Sequence, residues 1–212
     1  MPETQYAYTL EFRAPISIFT GLGIAGLVDR TVVREANGLP YIPGSSVKGR
    51  LRFFAERLLR SDAVQSDYCI HAEGHPICKV VDKACTICRL FGNSSLPALL
   101  RVGQASPEPS WDTIFRQLLD ADQNPVAHPD VEIRPGIALS RITRTALPDH
   151  LFFDETIPAI TFEGSLFLDM RVRREELVFL IAVGKLVDGL GARKATGRGV
   201  LKGGISIQEK QT

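Results

Sequence analysis

Several things are missing from this sequence, and each absence excludes a class of protein. Nowhere in the 212 residues is there an apolar run of the roughly 20 residues that a membrane helix needs. Residues 1–15 carry Glu3, Glu11 and Arg13 and no apolar core, so no secretion signal is read and a cytoplasmic protein is expected. Neither sign of charge is in excess: 25 Lys and Arg stand against 24 Asp and Glu, a net +1. A nucleic-acid partner therefore cannot be argued from the total. There is no repeat of fixed period and no low-complexity tract. The G-x-x-x-x-G-K-[ST] spacing is absent, which argues against nucleotide hydrolysis. What is there is globular: 44% hydrophobic and 23% charged. A chain of this size buries roughly 70% of its unfolded surface, so it needs no disulfides to be stable.

The distribution of charge says more than its sum. Residues 36–55 contain Lys48, Arg50 and Arg52 and no acid. Residues 134–148 contain Arg134, Arg141 and Arg144, and residues 189–208 contain Arg193, Lys194, Arg198 and Lys202, again with no acid. The acids gather elsewhere, in one block from Glu108 to Glu132 and another that includes Asp149, Asp154, Glu155 and Glu163. Should the basic windows converge, one face would be strongly positive on a near-neutral molecule. Taken singly, each window also fits an ordinary solvated face.

Periodicity gives the framework. Residues 5–14 alternate around Tyr6, Tyr8, Leu10 and Phe12, as a half-buried strand does. Val47, Leu51, Phe54, Leu58 and Leu59 recur at helical spacing, which predicts a helix over 46–60 with Ser45 and Ser46 as cap candidates. Strands are expected over 99–105, 160–172 and 199–208, and a helix over 174–188. One or two helical turns are expected around 111–119. The order βαββαβ is the split βαβ, or ferredoxin-like, pattern, an α+β fold. It also underlies RNA-recognition domains, whose sheet face is open to bases. Two segments, 61–97 and 106–158, exceed ordinary loop lengths and read as insertions in one domain over 1–212.

All four cysteines, Cys69, Cys78, Cys85 and Cys88, fall within twenty residues, with His71 and His75 between them. In a cytosolic chain this density reads as a metal site rather than a disulfide framework. Cys85-x2-Cys88 has the spacing of a zinc knuckle, and Cys78 is a third ligand for Zn²⁺. The fourth is open among Cys69, His75 and His71. Four protein ligands leave no position for water, so the zinc would be structural and would hold a loop too polar to fold by burial. A catalytic alternative also exists. His71-Ala72-Glu73 followed by Cys85-Thr86-Ile87-Cys88 echoes the zinc-deaminase signature. Against it, Ala84 stands where proline is expected, and only eleven residues separate Glu73 from Cys85.

Pro43-Gly44-Ser45-Ser46-Val47-Lys48-Gly49-Arg50 sets backbone N–H groups, two hydroxyls and a lysine at a helix N-terminus, chemistry suited to a phosphate. The same residues also fit an ordinary N-cap. Residues 189–199 form a glycine-rich, basic loop in which Arg193 and Lys194 offer phosphate contacts.

Together these residues resemble a known family. The run from Leu39 to Arg52 resembles the hallmark of the RAMP superfamily, most closely in the repeated backbone subunit of type III CRISPR effector complexes. Cys85-x2-Cys88-Arg89-Leu90-Phe91-Gly92 resembles that subunit's zinc segment. Ser140-Arg141-Ile142-Thr143-Arg144-Thr145-Ala146 resembles its thumb hairpin, and the 189–199 loop its C-terminal glycine-rich loop. The resemblance implies an RRM-like subunit that polymerises along a CRISPR RNA beside copies or paralogues of itself and other CRISPR-associated subunits. RNA would contact Ser45, Ser46, Lys48, Arg50, Arg52, Arg141, Arg144, Gly191, Arg193 and Lys194. It also implies cleavage of a single-stranded target RNA by metal-assisted attack of a ribose 2′-OH, with Asp29 the matching catalytic position and Mg²⁺ or Mn²⁺ the cation. After Asp29 the family commonly has a small residue and a proline; here Arg30 and Thr31 follow, and a later acidic position is Glu35.

Overall fold

A computed structural model describes residues 3–61, 69, 78–121 and 130–210. In chain order the elements are β1 (Glu3–Phe12), α1 (Gly44–Leu59), α2 (Thr86–Phe91), β2 (Leu100–Pro107), α3 (Pro109–Ala121), β3 (Glu132–Leu139), β4 (Ala146–Thr156), β5 (Thr161–Asp169), α4 (Arg174–Leu186) and β6 (Leu201–Glu209). Four strands form an antiparallel sheet in the order β2-β5-β1-β6, and β3 pairs only with β4 as a separate ribbon. This is the ferredoxin-like arrangement expected from the element order. No helix among the described residues is long and apolar enough to cross a membrane.

The core lies between one face of the sheet and the helices α1 and α4. Tyr6, Tyr8, Leu10 and Phe12 of β1 alternate inward, and Val47, Leu51, Phe54, Ala55 and Leu59 of α1 meet them at helical spacing. Strand β5 adds Phe162, Leu166 and Leu168; α4 adds Leu180 and Val183. The other face of the sheet carries paired charges: Arg101 with Glu3 at 2.6 Å and Lys202 with Glu11 at 2.8 Å. Its Phe167 ring is covered by the Arg101 guanidinium, 4.1 Å away. Among the described residues this face offers no bare aromatic pair for stacking bases.

The elements match the sequence expectations except at their edges and in the insertions. Helix α1 begins at Gly44, not after Ser45 or Ser46; Pro43 occupies the N-cap and no side chain caps the turn. A local reason is visible. Ile42 exchanges both backbone hydrogen bonds with Ala105 of β2 (2.8 and 2.9 Å), so the chain enters the helix directly off the sheet. Any Cβ at Gly44 would run into the carbonyls of Val102 and Gly103, which only glycine avoids. The one or two turns expected around 111–119 are the full helix α3, whose Phe115 is buried.

Candidate nucleic-acid interface

Two of the three basic windows meet at the end of the sheet where β1 stops and β6 starts. Arg50, in the second turn of α1, donates from Nε to the Gly189 carbonyl at 2.8 Å and pairs through Nη2 with Asp188 at 2.7 Å. Its guanidinium lies 5.0 and 4.7 Å from the Phe53 and Phe54 ring centres. The 189–199 loop is tied down on its other side, where Ala192 donates to the Ser17 carbonyl and Gly199 to that of Pro15, both at 2.8 Å. Between α1 and this loop is a cleft of about 400 Å³, whose lining includes Ser46, Gly49, Arg50, Gly191 and Lys194. The first turn of α1 holds no acid, so its positive N-terminal end is not offset. Ser45 is exposed and Ser46 half-buried there. Burial first, then Arg50, holds the Lys194 amine below its ordinary value, partly offset by Asp188.

Lys48 and Arg52, on another face of α1, are half-buried and already have partners within the protein. Lys48 Nζ donates to the Leu100 carbonyl at 2.9 Å, and burial together with Arg52 lowers its pKa. Arg52 pairs with Glu56 at 2.9 Å and donates to the Gly92 carbonyl at 3.2 Å. Arg141 and Arg144 are exposed in the turn between β3 and β4, with Arg144 in the left-handed region at φ 57°. A strand rises about 3.3 Å per residue, which puts them roughly 20 Å along the ribbon from Arg134 at its base. Arg134, from the third window, joins Arg193 and Arg198 in a separate cleft of about 470 Å³ between the ribbon base and the glycine loop.

Behind that cleft lies a residue that sequence reasoning missed. Asp154 of β4 belongs to the second acidic block of the sequence and is fully buried. Arg193 Nε and Arg198 Nη1 approach its Oδ2 at 3.2 and 3.4 Å. Arg30 Nε lies 3.0 Å from Oδ1, at an angle that makes a charge contact rather than a hydrogen bond. Phe152 of β4 adds to the cluster: the Arg193 and Arg30 guanidiniums lie 4.2 and 5.1 Å from its ring centre. The ring lies across Gly136 of β3, where any Cβ would collide with it. No local pattern announces this cluster, because its members come from three distant segments.

Asp29 lies on the other side of the ribbon. The 29–32 segment runs beside β4: Asp29 N–H donates to the Phe153 carbonyl at 2.9 Å, and Glu155 N–H to that of Arg30 at 3.0 Å. Asp29 Oδ2 in turn accepts the Phe153 N–H at 2.6 Å. The exposed Asp29 lines a cleft of about 510 Å³ formed by residues 23–29 with Leu151 and Phe153. Alternation along β4 thus sends Phe152 to the arginine cleft and its two neighbours to the Asp29 cleft. Glu35 is engaged elsewhere, accepting from Gln104 Nε2 at 2.6 Å and Asn37 Nδ2 at 3.1 Å.

The four cysteines come together. Their Sγ atoms all lie within 4.8 Å of one another, and none forms a disulfide. Cys69 Sγ is 2.9, 3.6 and 3.8 Å from those of Cys78, Cys85 and Cys88. Tetrahedral Zn–S bonds of about 2.3 Å place sulfurs about 3.8 Å apart, so this donor set can hold a metal ion. Burial pushes the Cys69 thiol up. The Cys85 thiol, although burial opposes it, is lowered by hydrogen bonds from Cys69 and Cys88. Of the open choices for a fourth ligand, Cys69 is the one placed with the other three; His71 and His75 lie outside the described residues. The segment is joined to the core by α2. There Arg89, itself buried, pairs with buried Glu176 of α4 at 2.6 Å and donates to the Arg171 carbonyl at 2.7 Å.

A family model described as the RAMP superfamily matches residues 9–202, a span that takes in all three clefts and the cysteine cluster. No curated protein matches the chain.

Proposed function

The chain belongs to the RAMP superfamily, and from that premise we propose that it is a CRISPR RNA-binding backbone subunit of a type III effector ribonucleoprotein that cleaves target RNA through Asp29. RAMP proteins work in CRISPR complexes with RNA and other subunits, so the coarser assignment, a CRISPR-associated RNA-binding subunit, follows from membership. The observation that carries the finer reading is the junction made by Arg50: it ties an uncapped, acid-free helix N-terminus to the glycine loop, and both line one cleft. Backbone N–H groups, Ser45, Ser46 and Lys194 would meet phosphates there, while pairing with the guide reads sequence. Arg50 and Gly191 shape that cleft. Lys48 and Arg52 support it from within, and Arg141 and Arg144 would meet RNA at the ribbon tip. Residues 61–97 and 106–158 are insertions in one domain spanning 1–212, acting in the cytoplasm among copies or paralogues of itself.

For cleavage, Asp29 has one carboxylate oxygen engaged by Phe153 and is the only acid lining its cleft among the described residues. That suits a divalent cation, Mg²⁺ or Mn²⁺, held jointly by Asp29, a target phosphate and water. Such a cation supplies positive charge against the scissile phosphate. The fixed backbone pairing of residues 29–32 along β4 would aim the carboxylate. One observation favours a second reading, a non-catalytic platform: Oδ2 is already satisfied at 2.6 Å, and Arg30 turns toward Asp154. The two separate on Asp29→Ala in the assembled complex. Target binding should persist while cleavage at the site facing this subunit disappears; unchanged cleavage removes the enzymatic reading. A structural Zn²⁺ on Cys69, Cys78, Cys85 and Cys88 fills its tetrahedron with sulfur, leaving no position for the water that a deaminase needs.

A further inference from the structure

We propose that the cleft between the ribbon base and the glycine loop is a second RNA-backbone site, in which Arg134, Arg193 and Arg198 grip a phosphodiester and Asp154 acts as the positioning residue behind them. The proposal rests on the RNA-binding reading above and adds to the glycine loop's Arg193 a cleft, with Arg134, Arg198 and buried Asp154, that no single sequence motif contains. Three features argue for it.

The first is charge. Arg30, Arg193 and Arg198 share the single carboxylate of Asp154, which leaves two positive charges in excess. The residues lining the cleft include no acid; Glu132, outside the lining, pairs with Arg134 at 2.6 Å in an exposed ion pair that an RNA phosphate would have to compete with. The side chains of Arg30 and Arg193 remain 37% and 30% exposed while Asp154 is fully covered, so the excess faces outward. Arg198 is held below its ordinary value chiefly by burial, with Arg134 and Arg193 adding to the effect against Asp154. An arriving anion would relieve that repulsion.

The second is geometry. Arg193 and Lys194 are consecutive, yet Arg193 lines this cleft and Lys194 lines the one at α1. The glycine loop is therefore a ridge with a cationic cleft on each side. Arg193 takes a left-handed backbone conformation, φ 59°, at the start of the 3₁₀ turn Lys194–Thr196. The third is what the site cannot do. Phe152, the aromatic in the lining, already lies across Gly136 and against two guanidiniums. It is not free to stack a base, so the cleft would read phosphate and ignore sequence.

The test uses the full chain with fluorescently labelled uridine and adenosine homopolymers, titrated at several salt concentrations. Arg134→Ala should reduce the slope of log affinity against log salt by about one, equally on both polymers, without moving the melting temperature. Thr196→Glu, which puts an acid in the cleft, should weaken both polymers alike; Thr196→Gln, which equally gives up the Thr196 hydroxyl's bond to the Arg193 carbonyl at 2.8 Å, controls for that loss and should weaken them far less. Asp154→Asn adds net positive charge, so a merely electrostatic role predicts tighter binding; a positioning role predicts weaker binding. Tighter binding overturns the role of Asp154. If the native chain binds both polymers, and Ser46→Glu weakens it while Arg134→Ala and Thr196→Glu do not, this second site falls and the interface at α1 stands. If the native chain binds neither polymer, the RNA-binding reading itself falls. In the assembled complex, the same variants should lose either guide retention or capture of the complementary strand, which identifies the strand gripped; loss of neither overturns the proposal.

Discussion

Between α1 and β2 the chain leaves the core through the cysteine segment; between β2 and β5 it leaves again through α3 and the β3–β4 ribbon. The described part of the first excursion returns to the core through α2. Ile87, Leu90 and Phe91 of α2 are buried, and the Arg89–Glu176 pair is buried at both ends, with 4% and 5% of each side chain exposed. Four thiols gather where a cation can hold them. In the second excursion α3 buries Phe115, and the ribbon is held at its base, where residues 29 and 30 pair with β4 and Asp154 collects arginines from two other segments. Its tip is open: Ile142 is 95% exposed, and Ile137, Leu139 and Leu151 are exposed along the ribbon. The first is pinned by a buried charge pair and by four thiols placed so that they could hold a metal ion. The second is pinned at one end and exposed at the other.

Breaking each pin measures that difference. The largest effect should come from the cysteines. Structural zinc contributes about 10–16 kcal/mol of apparent folding energy in small metal domains, so Cys85→Ser or chelation should leave aggregated protein with less than stoichiometric metal. Full metal content of Cys85→Ser by mass spectrometry would refute the cluster's role. Next is Arg89→Ala, which strands the Glu176 carboxylate in the core; a loss of about 3–5 kcal/mol is expected in denaturant melts. The double variant Arg89→Met with Glu176→Leu should recover most of it, and a failure to recover would mean that the hydrogen bond to the Arg171 carbonyl matters more than the pair. Asp154→Ala should cost less, about 1–3 kcal/mol, because Arg30 and Arg193 can turn to water. Ile142→Ser at the ribbon tip should shift stability by under about 0.5 kcal/mol. A larger loss there would show that the tip packs on something within the same chain.

Much of the fold was legible because it is written in local periods. The alternation of Tyr6, Tyr8, Leu10 and Phe12, and the spacing of Val47, Leu51, Phe54 and Leu59, each report a buried face without knowledge of what covers it. The ribbon was less legible. Pro135 and Gly136 interrupt β3, Pro148 and Asp149 interrupt β4, and most of the ribbon is at least partly exposed, so neither strand shows a clean two-residue period. The ends of α1 were misplaced because Ser45 and Ser46 are good caps in isolation, whereas the approach of Gly44 to the Val102 and Gly103 carbonyls decides where the helix starts.

Spacing in the chain alone was enough to read the βαββαβ order and the gathering of the four cysteines, whereas the meeting of the glycine-serine turn with the basic loop was only a condition until the tertiary structure met it. The first two are patterns among near neighbours or among chemically unmistakable residues. The roles of individual charges were decided only by the tertiary structure. Lys48 turned inward to a carbonyl, Asp154 was buried under three arginines, and Arg134 joined a loop some sixty residues away. The reason is physical: a charged side chain's energy depends on partners and solvent within a few ångströms, and the chain's linear order does not specify those distances.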